Sequence, residues 1–192
     1  TNDDITLVSA TTLTGAVVID TGSGAGTIAF NNTLNGGQNL TLTAGTGNID
    51  FDAAVGNTAR LGILTIVSAT NVTADSSFTA ASILQQTFSG TTTFTGTVNT
   101  NTAAGVNLTG NNLIVTAGIT TTTNGVLTTD LAGTATLANG SVSSIAGATT
   151  VDVDGAIVVG GSTTSVGQML LKSNTDSITI NSAASVIGTT QN

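Results

Sequence analysis

The chain has 192 residues, enough for one ordinary domain or one stack of repeats. Two Lys or Arg stand against ten acidic residues, which gives a formal net charge of −8. This charge argues against a nucleic-acid-binding surface, which needs a basic patch, and against direct contact with an anionic membrane. No apolar run reaches the roughly 18 residues that a transmembrane helix needs, and without Cys no disulfide framework can form.

The composition is typical of an all-β protein. There are 42 Thr and 24 Gly, and there is no Pro, His, Trp, Tyr or Glu. Thr, Val and Ile favour strands. A hydrophobic content of 39% and a mean hydropathy of +0.38 are too high for a disordered chain. Only 6% of the residues are charged, so Thr, Ser and Asn must cover most of the surface.

Glycine residues punctuate the chain at near-regular intervals, as at Gly15, Gly62, Gly125 and Gly147. Units that begin after this punctuation start at Ala16, Asn39, Ile63, Ile83, Val106, Val126, Ala148 and Gln168. The starts step by 23, 24, 20, 23, 20, 22 and 20 residues. A repeat period in this range is the signature of a solenoid.

Within each unit, short runs alternate between apolar and polar residues. In residues 40–43 and 49–52, this alternation places Leu40, Leu42, Ile49 and Phe51 on one face and Thr and Asp on the other. Clusters of Gly, Asn, Ser and Thr separate the runs and indicate turns. No segment has helical spacing with caps, so essentially no helix is expected.

A single unit is too small to bury its apolar face, but stacked units can bury it. Strands of successive units would pair at about 4.8 Å and align their apolar side chains inside. The sequence therefore predicts one continuous β-solenoid over residues 1–192, a single-stranded parallel β-helix of about eight to nine coils of 20–25 residues. Four of the five Phe fall at similar places in their coils and are expected to form an internal aromatic stack: Phe30, Phe51, Phe78 and Phe94, without Phe88.

The two ends of the sequence are similar to each other. Residues 2–15 match residues 175–188 at an offset of 173, with identities at Asp3, Ile5, Thr6, Ser9, Ala10 and Gly15. Either the chain holds one super-repeat of about eight coils and the start of the next, or a biased composition produces the match by chance. Neither end reads as a polar cap, so we expect coils to continue at both ends, as a longer array or as another copy.

Three segments carry a family resemblance: residues 12–30, 39–51 and 63–78, which read TLTGAVVIDTGSGAGTIAF, NLTLTAGTGNIDF and ILTIVSATNVTADSSF. They resemble bacterial β-strand-repeat surface proteins of the filamentous-haemagglutinin-like adhesin type, and the resemblance extends over essentially the whole chain. It implies a right-handed parallel β-helix, export to the cell surface or beyond it, and a role in adhesion, surface coating or fibre formation. No secretion domain or C-terminal anchor is recognisable, so the resemblance does not indicate an export route.

Two pairs of carboxylates are the candidates for metal binding. Asp50 and Asp52, and likewise Asp152 and Asp154, lie two residues apart on an outward strand face. Paired carboxylate oxygens suit calcium, although the nonapeptide calcium repeat is missing. The alternative is that these Asp residues are solvated and keep the rod soluble.

The same spacing, roughly 6.5–7 Å between side chains two residues apart, overlaps that of inverting glycosidases. The chain lacks the His, Glu, Tyr and Trp that would support such a site, and its two basic residues, Arg60 and Lys172, fall in different coils. We therefore expect no enzyme. An ice-binding array of Thr-x-Thr, as at Thr41 and Thr43, is not repeated in the following coils.

These observations favour a structural rod or spacer of an extracellular or cell-surface protein, an adhesin stalk or fibre subunit, whose end strands stack on further copies. The alternative is a β-helix module that binds glycans or a host surface. No cofactor is expected apart from a possible calcium ion, and nucleic acid is not expected as a partner.

Overall fold

The computed structural model describes residues 2–138, 141–181 and 184–188. The described residues form 24 short strands and no helix, so they include no helix that could cross a membrane. All the strand pairs are parallel, and each strand pairs with strands of the neighbouring coils. The predicted all-β solenoid of stacked parallel coils is confirmed.

The chain winds through about nine coils. Coil 1 contains β1 (Ile5–Leu7), β2 (Thr11–Thr12) and β3 (Val17–Asp20), and coil 2 contains β4 (Ile28–Phe30), β5 (Leu34–Asn35) and β6 (Leu40–Thr43). Coil 3 contains β7 (Ile49–Phe51) and β8 (Leu61–Ser68), and coil 4 contains β9 (Val72–Ala74) and β10 (Phe78–Gln85). Coil 5 contains β11 (Thr91–Phe94), β12 (Val98–Thr100) and β13 (Val106–Gly110), and coil 6 contains β14 (Asn112–Val115), β15 (Ile119–Thr121) and β16 (Leu127–Leu131). Coil 7 contains β17 (Ala135–Leu137), β18 (Val142–Ile145) and β19 (Thr149–Val153), and coil 8 contains β20 (Ile157–Val159), β21 (Ser162–Ser165) and β22 (Met169–Ser173). Coil 9 contains β23 (Ile178–Ile180) and β24 (Val186–Gly188).

Three faces run along the stack, and each coil crosses them in the same order. Face A is a nine-stranded sheet of β1, β4, β7, β9, β11, β14, β17, β20 and β23. Face B starts with β2 and β5, continues through bridges at Val55 to the first half of β10, and then contains β12, β15, β18, β21 and β24. Face C contains β3, β6, β8, the second half of β10, β13, β16, β19 and β22. Because β10 turns the corner between them, faces B and C share one 13-stranded sheet.

The register on face C tests the predicted coil starts. One inward column runs through Val17, Leu40, Leu64, Ile83, Val106, Leu127, Thr149 and Met169. Six of the eight predicted starts lie in register, but those at Ile83 and Val106 are each one residue late. The position that corresponds to the start at Ile63 is held by Ser82, which pairs with Ile63, and in the next coil by Gly105, whose carbonyl oxygen accepts from the Ile83 N–H.

The apolar core lies between the three faces. Leu40, Leu42, Ile49 and Phe51 are all buried, whereas Asp50 between the last two is only partly buried. The predicted alternation of inward and outward residues is therefore confirmed in these coils.

The predicted aromatic stack is also confirmed. The ring centroids of Phe30 and Phe51 lie 5.1 Å apart with nearly parallel planes. Phe78 meets Phe51 edge to face at 5.1 Å and Phe94 at 6.4 Å. Phe78 comes from face B and the other three from face A, where the small Ala74 lies in register between Phe51 and Phe94. The Phe78 ring from face B therefore lies between the rings of Phe51 and Phe94, which Ala74 separates on face A.

Phe88 is buried away from this stack, next to the corner that precedes face A. A β-carbon added to Gly110 would lie 2.0 Å from the Phe88 ring. Glycine at position 110 is therefore a packing requirement, because any side chain there would occupy the space of the ring.

The core is more polar in the second half of the solenoid than in the first. Inward-facing hydroxyl side chains there include Thr121, Thr129, Ser143, Thr149, Thr163 and Ser165, all of them buried. The hydroxyls of Thr129, Thr149 and Thr163 have no hydrogen-bond partner in the structure. Burial of an unpaired hydroxyl lowers stability, so these three positions are less favourable than apolar residues of the same shape would be.

We expect Phe51→Ala to lower the free energy of unfolding by about 3–5 kcal/mol, because it removes the central ring of the stack and leaves a cavity. The measurement is chemical denaturation followed by circular dichroism. Ile114→Ala, which truncates an outward side chain on the same face, is the control and should cost less than about 1 kcal/mol. Equal losses for the two variants would contradict the internal stack.

We expect Thr149→Val to raise the free energy of unfolding by about 1 kcal/mol, because Val has the shape of Thr without the unpaired hydroxyl. Thr150→Val, at the neighbouring and partly exposed position, is the matched control, since its hydroxyl reaches water. A loss of stability for Thr149→Val would show that this hydroxyl has a partner in the folded protein.

Candidate functional site

The first acidic pair lies on face A in coil 3. Asp50 is in register with Thr73 of the next coil, and Asp52 follows at the end of the same strand. Burial raises the pKa of Asp50, and the neighbouring charges of Asp52 and Asp75 raise it further, while a hydrogen bond with the Thr73 side chain acts in the opposite direction. The structure thus brings a third carboxylate, Asp75, close to this pair.

The second acidic pair lies on face C in coil 7 and already has partners. Lys172 Nζ lies 2.9 Å from Asp152 Oδ2. Asn174 Nδ2 donates to Asp152 Oδ1 at 3.2 Å and to Asp154 Oδ1 at 2.9 Å. The Asn174 amide and the Lys172 ammonium group therefore bind carboxylate oxygens that a calcium ion would need as ligands.

The four Asp residues of the calcium hypothesis do not form one site, because the two pairs lie on different faces and four coils apart. Within the described residues, no group of three or more His, Cys, Asp or Glu is placed to hold a metal ion. The calcium hypothesis remains a prediction that calcium titration can test.

The two basic residues have different environments. Arg60 donates from Nη1 to the carbonyl oxygens of Ala80 at 2.8 Å and Asn99 at 2.9 Å, so it joins coils 3, 4 and 5, and burial lowers its pKa. Lys172 is half exposed in β22, the last described strand of face C. The sequence analysis missed the pair of Lys172 with Asp152, although their separation of 20 residues equals one coil step and could have indicated it.

The middle of face C carries a shallow groove. A hollow of about 460 Å³ is lined by Ile63, Ser82, Ile83, Leu84, Ala104, Asn107 and Val126. The outward column through Thr41 and Thr65 continues with Leu84 and Asn107, so the threonine array is interrupted here. The groove is a concave surface of the kind that a glycan-binding module would use.

The first coil leaves one edge of each of its strands unpaired within the described residues. β1, β2 and β3 pair only with β4, β5 and β6. The inward side chains Leu7, Val17 and Ile19 are only partly buried, and the outward Val18 is 72% exposed. This end of the solenoid presents apolar side chains and free backbone groups together.

The last coils have the same character. β22, β23 and β24 pair only with β19, β20 and β21 among the described strands. Ile178 and Ile180 continue the inward columns of Ile157 and Val159, but they are 44% and 49% exposed. Leu170 on the outward face is 50% exposed.

The strand register bears on the match between residues 2–15 and 175–188. Followed coil by coil on face A, the column that starts at Ile5 reaches Ile178 after eight steps, at the same offset of 173 as the sequence match. On face B, the column of Val186 leads to Thr11, two residues from the Leu13 that the sequence match aligns with it. A shift of two keeps the inward direction, so both segments present the same side of the strand to the core.

Comparisons of the chain with protein-family models, with curated protein sequences and with solved structures give no match. The resemblance to filamentous-haemagglutinin-like adhesins therefore stays an interpretation of the sequence. The fold and the described ends are the observations on which a functional proposal depends.

We expect Asp50→Asn to raise the stability at neutral pH, because the pKa of Asp50 is raised by burial and its ionised form opposes folding above that pKa. The wild type should regain this stability as the pH falls through the raised pKa, so the difference between variant and wild type should shrink in acid. The measurement is the urea midpoint as a function of pH. Asp3→Asn, which removes the same charge at an exposed position, is the control and should show a smaller difference.

Proposed function

We propose that this chain is a structural rod segment of an extracellular or cell-surface protein, a stiff spacer or fibre subunit whose end strands stack on further copies. The observation that carries the proposal is the state of the two ends. Among the described strands, those of the first coil and β22, β23 and β24 pair on one side only. Inward apolar residues there, such as Ile19 and Ile180, are partly exposed. Strands of this kind add to other strands readily.

The body of the solenoid suits a mechanical role. Face A runs through nine described rungs and face C through eight, while face B is joined between β5 and β10 by single bridges at Val55. Apart from Arg60, which also reaches coil 5, the coils contact their neighbours, so the length of the rod increases with every coil that is added. A rod of this kind needs no mobile loop and no bound group to function.

Charge and composition agree with an extracellular location. The chain is rich in Thr, Ser and Asn, and ten Asp give it a net negative charge that favours solubility. A chain without Cys needs no oxidising compartment and tolerates one. The resemblance to bacterial adhesins supports the same location, since proteins of that type are exported.

The test is self-association of the purified chain. We expect sedimentation and electron microscopy to show end-to-end oligomers or filaments that grow with concentration, with diffraction at the strand spacing of about 4.8 Å along their axis. Ile5→Lys should stop this growth, because it places a charge in the apolar surface of coil 1 that any stacked copy must cover. Thr6→Lys adds the same charge on the outward side of the same strand and should leave association largely intact.

A chain that stays monomeric at all concentrations would contradict the proposal. So would an Ile5→Lys variant that associates like the wild type, since the apolar end of coil 1 would then play no part.

A further inference from the structure

The corner that leads into β17 turns two successive backbone N–H groups toward the preceding coil. In a regular parallel strand, alternate residues bond to the strands on opposite sides. Here Gly133 N–H donates to the carbonyl oxygen of Asn111 at 3.0 Å, and Thr134 N–H donates to Asn112 Oδ1 at 2.9 Å. Both acceptors lie on the preceding coil, so the Asn112 side chain pairs an N–H group that the strand ladder leaves over.

The same arrangement occurs at two further corners. At the start of β11, Thr91 N–H donates to Asn71 Oδ1 at 2.9 Å, and in β8, Ile63 N–H donates to Asn39 Oδ1 at 2.9 Å. In each case the residue before the donor is a glycine, whose own N–H donates to the carbonyl oxygen before the Asn. We call each set an Asn–Gly clamp, and the three clamps are Asn39 with Gly62 and Ile63, Asn71 with Gly90 and Thr91, and Asn112 with Gly133 and Thr134.

The glycine of each clamp makes room for the Asn side chain. A β-carbon added to any of the three glycines would lie closer than 3.0 Å to the Oδ1 atom that accepts the bond. Any other residue would therefore push the amide group away from its donor. The Asn and the glycine, one coil apart, form a single unit.

Two related corners show which parts of the clamp matter. Thr70 stands in the place of the glycine before Asn71, and the bond from Asn71 N–H to Asn48 Oδ1 is longer, at 3.2 Å. Asp can replace Asn, since Asp4 Oδ1 accepts from Thr27 N–H at 2.7 Å. The clamp thus needs a carboxyl or amide oxygen as acceptor, and glycine allows the shorter bond.

The three clamps join coils of different length. The donor follows its Asn by 24 residues at Asn39, by 20 at Asn71 and by 22 at Asn112. The donor–acceptor distance is nevertheless 2.9 Å in all three. A clamp therefore determines where a strand begins over the preceding coil, whatever the length of chain between the two.

We propose that the Asn–Gly clamps set the strand register between coils of unequal length. The Asn oxygen holds the first residue of the new rung over the Asn itself, and the surplus residues of a longer coil bulge outward at the other corners. The proposal concerns the folding of a single chain, so its tests are independent of end-to-end association.

The first test is amide hydrogen exchange, followed by NMR. In Asn112→Ala we expect Thr134 N–H to exchange at least about tenfold faster than in the wild type, because its acceptor is lost. Thr91 N–H in the same variant is the control, since its own clamp is intact. Asn112→Asp keeps an oxygen acceptor and should keep the protection of Thr134. Unchanged exchange of Thr134 in Asn112→Ala would overturn the clamp.

A double-mutant cycle tests the link between the two residues of one clamp. Gly133→Ala should release Thr134 N–H as Asn112→Ala does, because the new methyl group displaces the Asn112 amide. Both changes remove the same bond, so the double variant should lose less stability in urea than the two single losses together. Single losses that simply add would overturn the role of the glycine.

An insertion tests the independence from coil length. Ser-Gly placed between Thr123 and Asn124 lengthens the step from Asn112 to Thr134 from 22 to 24 residues, the length of the step at Asn39. We expect Thr134 N–H to stay protected. In the Asn112→Ala background, the same insertion should lower the folding equilibrium constant at least about fivefold more than in the wild type. Loss of protection, or an equal effect in both backgrounds, would overturn the role in register.

Discussion

The structure depends on one constraint, which is that each coil must place its strands directly over those of the coil before it. The strands of faces A, B and C find their hydrogen-bond partners only one coil away, so a loss of register would leave a whole face unpaired. Successive coils differ in length, by 24 residues from Leu40 to Leu64 but 19 from Leu64 to Ile83 on face C. The corners absorb the difference, as where Asn35 Oδ1 accepts from the backbone N–H groups of Thr58 and Ala59.

The same register determines which side chains meet in the core. A residue in a strand touches the residue above and below it, so a large ring requires a small neighbour in its column or across the core. Ala74 has this role for Phe78, and Gly110 has it for Phe88. The second half of the solenoid solves the same problem with Thr and Ser, which fit the width of the core but leave hydroxyls such as that of Thr149 unpaired.

Much of the fold could be predicted because period and alternation are properties of the sequence alone. The glycine spacing and the Leu40 and Leu42 alternation are sufficient for a parallel solenoid. The assignment of a residue to a face was not predictable in the same way, since Phe78 has the spacing of its companions but belongs to face B. Interactions between coils require the register to within one residue, as the charge of Asp75 near Asp50 and the ion pair of Lys172 with Asp152 illustrate. The predicted coil starts at Ile83 and Val106 did not have that accuracy.

The apolar columns and strand ladders that stabilise the middle of a solenoid are left open at its ends. Both ends have these features, so they alone do not determine how two copies meet. The direction of the strands can determine it. In a head-to-tail junction the strands of the added copy run parallel to those below, as they do in every described strand pair, whereas two like ends would meet as antiparallel strands. A junction that continues the described ladder therefore gives a rod in which every copy points in the same direction.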